Sequence, residues 1–114
     1  MAVTRDVALD ALGDLLARPP RASLTFVGGE GLEILPVRAR FAGDRPLVGL
    51  PADGPDLAGR EVVVLVDDGP WWFRLRGASV RGVARRDMEA EGVVWWAVEP
   101  RRVLAWDYGT IRDA

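Results

Sequence analysis

Residues 5–18 place Ala8, Leu12, Leu15 and Leu16 on one helical face, with Leu9 beside them, and Asp6, Asp10 and Asp14 at i, i+4 spacing on another. This period predicts an amphipathic helix with a solvated acidic face, stopped by Pro19-Pro20. From residue 22 the period changes to two. Residues 22–27 are rich in strand formers and end at Gly28-Gly29-Glu30-Gly31, a hairpin-type connection. Residues 32–42 alternate, with Leu35, Val37, Ala39 and Phe41 facing one way and Ile34, Pro36, Arg38 and Arg40 the other. Pro36 inside that run argues for an edge position or a bulge. Gly43-Asp44-Arg45-Pro46 then turns the chain into a short strand at 47–50.

Residues 51–59 hold too much Pro and Gly for a long helix. The apolar run 61–66 has strand length and reads as a central strand covered on both faces. Asp67-Asp68-Gly69-Pro70 is a turn. A long strand is expected at 71–85, bent near Gly77 and Gly82, followed by a polar turn at 87–92 and a strand at 93–98. Glu99-Pro100 should interrupt that strand before a last one at 102–108. The expectation is one domain over 1–114: a mostly β fold, a small antiparallel barrel of six to seven strands (22–108) behind one N-terminal helix (5–18).

Composition removes most chemistry. The chain has no Lys, His, Cys, Asn or Gln. Without Cys and His there is no zinc or haem ligand set, so no metal site is expected. Ser23 and Ser79 have no His or Lys to act as base, which excludes a serine nucleophile. Asp67-Asp68, Glu89 and Glu91 sit in expected turns and read as solubilising residues. Tyr108 could donate a proton, but its position favours packing. The Gly28–Gly31 turn lies between strands and lacks the strand-to-helix setting of a phosphate loop. A net charge of −2 offers no basic stripe for nucleic acid. Asp6, Asp10 and Asp14 spoil a secretory leader, and no uncharged run reaches membrane-span length, so a cytoplasmic location is expected. Any reaction must therefore come from a bound cofactor.

Several short cues occur in one order: Leu35-Pro36-Val37 on the second strand, 62–66 followed by Asp67-Asp68-Gly69, the segment 76–84 with its Val80, Gly82 and Ala84, and the ending 98–106 with Pro100, Val103 and Trp106. In this order the chain resembles the pyridoxamine 5'-phosphate oxidase-like, FMN-binding split-barrel superfamily. The resemblance implies a split barrel, a homodimer, and a flavin (FMN) or deazaflavin at the dimer interface serving an oxidoreductase reaction on a small molecule. It places the isoalloxazine along Pro36, Val37 and Arg38, and the ribityl and phosphate over Gly49 and Leu50. Arg76 and Trp106, from the partner subunit, would close the site. Residues 51–57 depart from the family pattern: no cation precedes Arg60, and Asp53 and Asp56 stand where the phosphate would lie. Carboxylates repel a phosphate. The alternative is a non-catalytic split-barrel homodimer that has lost the phosphate site or binds another apolar ligand.

Two further patterns bear on this choice. Arg38 and Arg40 share a strand face, as do Arg74 and Arg76, so each pair can grip an anion or form surface ion pairs with Glu33, Glu61 and their neighbours. Trp71-Trp72 and Trp95-Trp96 are adjacent on strands, which points one member of each pair into the core and leaves the other to be covered by a second subunit, a ligand or a helix.

Overall fold

The computed structural model describes residues 8–68 and 76–107. The N-terminal apolar face forms, but in a shorter element than its period predicts. A 3-10 turn at Leu9–Leu12 runs into a five-residue helix α1 (Gly13–Ala17). Gly13 is a poor helix former, and Leu12 ahead of it supplies no side-chain cap, so nothing sustains a longer α-helix here. Leu12, Leu15 and Leu16 are buried in the core while Ala8 is exposed. Residues 5–7 of the expected helix lie outside the described residues.

Seven strands follow among the described residues: β1 (Arg21–Gly28), β2 (Gly31–Pro36), β3 (Arg38–Ala42), β4 (Arg45–Pro51), β5 (Glu61–Asp67), β6 (Arg76–Ala90) and β7 (Val93–Asp107). They form one antiparallel sheet in the order β2-β1-β5-β6-β7-β4-β3. The single run expected at 32–42 is split at Val37. Pro36, where a bulge or edge was expected, ends β2, an edge strand of the sheet. β2 and β3 therefore occupy opposite edges of the sheet although one residue joins them. The sheet must curl until its edges meet, and Val37 marks the seam, its N–H donating to the Ala22 carbonyl at 3.1 Å. This is a barrel closed by the chain itself.

The inward faces supply the core. Leu24 and Phe26 come from β1, Val62, Val64 and Val66 from β5, Ala78, Val80 and Ala84 from β6, and Val94, Trp96 and Val98 from β7. Leu35, Val37, Ala39 and Phe41 pack against them as their alternation predicts. No polar side chain is buried among the described residues. Each buried Val or Leu contributes about 1.5–3 kcal/mol of apolar transfer.

Three expectations need correction. β5 is central, but within one chain the described residues cover only one of its faces: Leu65 on the other is 37% exposed. Residues 87–90 continue β6, and the turn shrinks to Glu91-Gly92, since Ala90 pairs with Val93. Glu99-Pro100 does not break β7. The register slips opposite it, between Arg81 and Gly82, so that Gly82 pairs with Pro100 and Arg81 with Arg102. A bulge is where a strand tolerates proline. Gly82 makes the close approach there: a Cβ would lie 2.0 Å from the Glu99 carbonyl oxygen.

Candidate functional site

The seam positions the first candidate site. As the chain passes from β2 to β3, Pro36, Val37 and Arg38 form one wall of a groove of about 380 Å3. Gly49, Leu50 and Pro51 of β4 and the Gly92-Val93 corner of the β6–β7 hairpin line the rest. The strand pairing explains this grouping, because Arg38 stands opposite Gly49, and Pro51 opposite Val93. The lining is apolar apart from backbone and the Arg38 side chain, which is exposed and makes no hydrogen bond or ion pair among the described residues. Such a groove suits a flat, apolar ring carrying one anionic arm. A second cavity of about 560 Å3, which Leu65 and Ile34 also line, continues it across Pro36 and Val37.

The opposite end of the β6–β7 hairpin holds a different arrangement. Arg76, at the start of β6, donates through Nη1 and Nη2 to the two Asp14 carboxylate oxygens at 3.0 and 2.9 Å. Its Nε donates to Asp68 Oδ2 at 2.7 Å, and its backbone N–H to Asp68 Oδ1 at 3.0 Å. The network ties α1 to the end of β5 and the start of β6. Donating to the Asp14 and Asp68 carboxylates raises the Arg76 pKa, and accepting from Arg76 lowers that of Asp14. Nearby, the Trp106 ring lies over Gly77, where a Cβ would come within 2.5 Å of it. The Trp106 indole N–H is buried without an acceptor among the described residues.

Neither a protein-family profile nor a curated protein matches the sequence. Solved structures do. The chain is similar to the conserved hypothetical protein Rv2991 of Mycobacterium tuberculosis, with TM-score 0.75, 16% identity, and 98% of this chain and 91% of that one covered. It is similar to an FAD binding protein of Mycobacterium smegmatis, with TM-score 0.69, 19% identity, and coverage of 89% and 97%. An F420 reductase aligns with TM-score 0.57, 16% identity, and coverage of 79% and 93%. The chain folds as a split barrel of the pyridoxamine 5'-phosphate oxidase-like type.

The split barrel brings five of the seven expected site residues together: Pro36, Val37, Arg38, Gly49 and Leu50 all line the groove at the seam. It does not bring Arg76 and Trp106 to them. Arg76 pairs with Asp107 and Gly77 with Trp106, at the end of the hairpin remote from Gly92. The four arginines considered from the sequence do not form one cluster either. Arg74 lies outside the described residues, as do Trp71, Trp72 and Tyr108. Arg76 is held by Asp14 and Asp68, not by the glutamates expected, and Glu61 pairs with Arg81. Asp14, read as part of a solvated face, is thus an ion-pair partner. In the 51–57 segment Asp56 accepts the Ala58 N–H at 3.0 Å, which fixes its own turn.

Sequence reasoning missed one arrangement. Of the Trp95-Trp96 pair, Trp96 is core, as expected of one member. Trp95 lies on the outer face, and the Arg40 guanidinium sits 4.7 Å from its ring centroid. Gly49 makes room for that ring, since a Cβ there would be 3.1 Å from two of its atoms. Only the register could reveal this, because Gly49 and Trp95 are far apart in sequence and directly paired in space. No helix of the described residues is long and apolar enough to cross a membrane, and none of their His, Cys, Asp or Glu side chains cluster in a set that could hold a metal.

Proposed function

We propose that this split barrel binds a flavin-type cofactor, FMN or deazaflavin, in the seam groove, and works as a cytoplasmic homodimeric oxidoreductase on a small molecule. One observation carries the reading: Pro36, Val37, Arg38, Gly49 and Leu50 converge on a groove with apolar walls, glycine backbone and one guanidinium that has no partner among the described residues. Fold neighbours described as FAD binding proteins and an F420 reductase support the cofactor class. A bound flavin or deazaflavin supplies the hydride chemistry that these side chains lack. The protein's part is to hold the ring against Pro36 and Val37, shield it from water with Leu50, and balance the anionic arm with Arg38.

The homodimer has its own support. Val27, Leu32 and Ile34 are 67%, 75% and 68% exposed on β1 and β2, and Leu65 and Leu104 extend the apolar surface across the sheet. A second copy would cover that face. It would also supply Arg76 and Trp106, which one chain keeps away from its own groove.

The second reading, a non-catalytic homodimer without a cofactor, draws on Asp53 and Asp56 in the segment after β4 and on the occupied Arg76. The two readings separate in a visible spectrum of the purified protein and a calorimetric titration with FMN, FAD and a deazaflavin. Micromolar binding supports the first reading. A colourless protein that takes up none of these at millimolar concentration eliminates it, and light scattering that shows only monomer eliminates the dimer.

A further inference from the structure

The seam groove does not end at Arg38. A cavity of about 470 Å3 on the outer face of β3, β4, β7 and β6 shares Arg38 and Val93 with it, so the two spaces meet at the Arg38 side chain. Cross-strand pairing builds this second space. Arg38, Gly49, Trp95 and Met88 form one row, and Arg40, Leu47 and Ala97 the next. Arg38 and Arg40 alternate onto the same face, about 7 Å apart by strand geometry. Neither meets a carboxylate among the described residues. Arg40 instead lies over Trp95, whose ring forms an aromatic floor beside the exposed Met88.

The facing rim carries the opposite charge. Asp87 is the extra residue where the register slips between Arg86 and Met88. Glu91 opens the hairpin turn with φ 54°, a left-handed conformation that Asn, Asp or Gly normally takes in such a turn. The Ala52 N–H donates to the Gly92 carbonyl at 2.8 Å and fixes that tip in place. The cavity thus has two guanidiniums on one wall, an indole floor, and two hydrogen-bond-accepting carboxylates on the other wall. A nucleoside phosphate has matching parts: an anion, a flat base, and ribose hydroxyl and amino donors.

We propose that this cavity is the nucleotide arm of the site and that the ligand is a dinucleotide. Its flavin half lies in the seam groove, its diphosphate crosses at Arg38 and Arg40, and its adenosine packs on the Arg40 guanidinium that Trp95 backs, within reach of Asp87 and Glu91. The inference rests on the flavin reading above and deepens it, since a mononucleotide would stop at Arg38. It also gives the ligand's anion two cations on β3 in place of the missing loop cation.

The test is isothermal titration of the full chain with FAD, FMN, riboflavin and ADP, repeated with Arg40→Ala and Trp95→Leu after circular dichroism has shown both folded. The expected result is FAD at least tenfold tighter than FMN, with ADP competing against FAD. Each substitution should weaken FAD and ADP at least tenfold and leave riboflavin within twofold. Equal binding of FMN and FAD, unchanged by either substitution, overturns the nucleotide arm and leaves the flavin reading standing. Arg40-dependent ADP binding with no flavin bound overturns the flavin reading and keeps the nucleotide cavity. Binding of neither overturns both.

Discussion

The two ends of the β6–β7 hairpin use arginine in opposite ways. At the end where β6 begins, Arg76 is held by two carboxylates on separate elements, and its side chain is 28% exposed. At the other end Arg38 and Arg40 stand on an exposed strand face and make no ion pair among the described residues, one of them lying over a tryptophan. A paired guanidinium has spent its donors on the fold. An unpaired one on a groove wall keeps them for a ligand. Within one chain the first end therefore serves the fold and the second stays open to a ligand, although the sequence presents both as arginines alternating on strands.

The glycines sharpen the comparison most. Gly77→Ala would put a Cβ 2.5 Å from the Trp106 ring and 2.7 Å from the Val66 carbonyl oxygen, so backbone must move. Urea denaturation should show a loss of about 2–3 kcal/mol. Gly49→Ala meets only side-chain atoms, of the Trp95 ring and Val93, at 3.1 Å, so no backbone need move. That change should cost under about 1 kcal/mol while altering the near-ultraviolet circular dichroism. Equal losses at both ends would break the comparison.

Removing the arginines should show the same asymmetry on a smaller scale. Arg76→Ala leaves Asp68, with a side chain only 17% exposed, the backbone N–H of residue 76 but no guanidinium. The expected loss in the same denaturation is about 1–2 kcal/mol. Arg40→Ala, on an exposed face, should stay within about 0.5 kcal/mol of the parent. At the hairpin tip, Glu91→Asn creates the Asn-Gly pair that such turns prefer and should raise stability by about 1 kcal/mol. It should also weaken any ligand that donates to the Glu91 carboxylate. The smallest effect concerns pH. Because Arg76 lowers the Asp14 pKa, the stabilisation from that ion pair is complete above the ordinary value of 3.8 and is lost as pH falls through the lower folded value. Hydrogen exchange at α1 should quicken on acidification in the parent, and Asp14→Asn should show that faster exchange already at neutral pH.

Much of the fold was legible because its strands alternate in plain sight. Leu35, Val37, Ala39 and Phe41 announce one face of β2 and β3, and the 61–66 run announces β5. The groove residues were named as a set only by the resemblance, since no periodicity in the chain singles them out. The fold gathers them because Pro36, Val37 and Arg38 follow one another at the seam and Gly49 and Leu50 lie on the strand paired with β3. What stayed hidden depends on register. Glu99-Pro100 looks like an interruption until Gly82 is seen across from it, and Asp87 looks like a turn until Met88 is paired with Trp95. Arg76 could not be matched to Asp14 from the chain alone, because no local pattern links positions so far apart. The length of α1 was overestimated because apolar period says nothing of caps, and Gly13 and Leu12 supply none.

A single peptide unit, that of Val37, spans the gap between the two rims of the sheet. The width of the adjoining cleft is therefore fixed by covalent reach and not by any side chain that substitution could trim. A lineage adapting this scaffold to a thicker guest would do so by adding a residue at that junction. Point changes along the walls would retune only the fit.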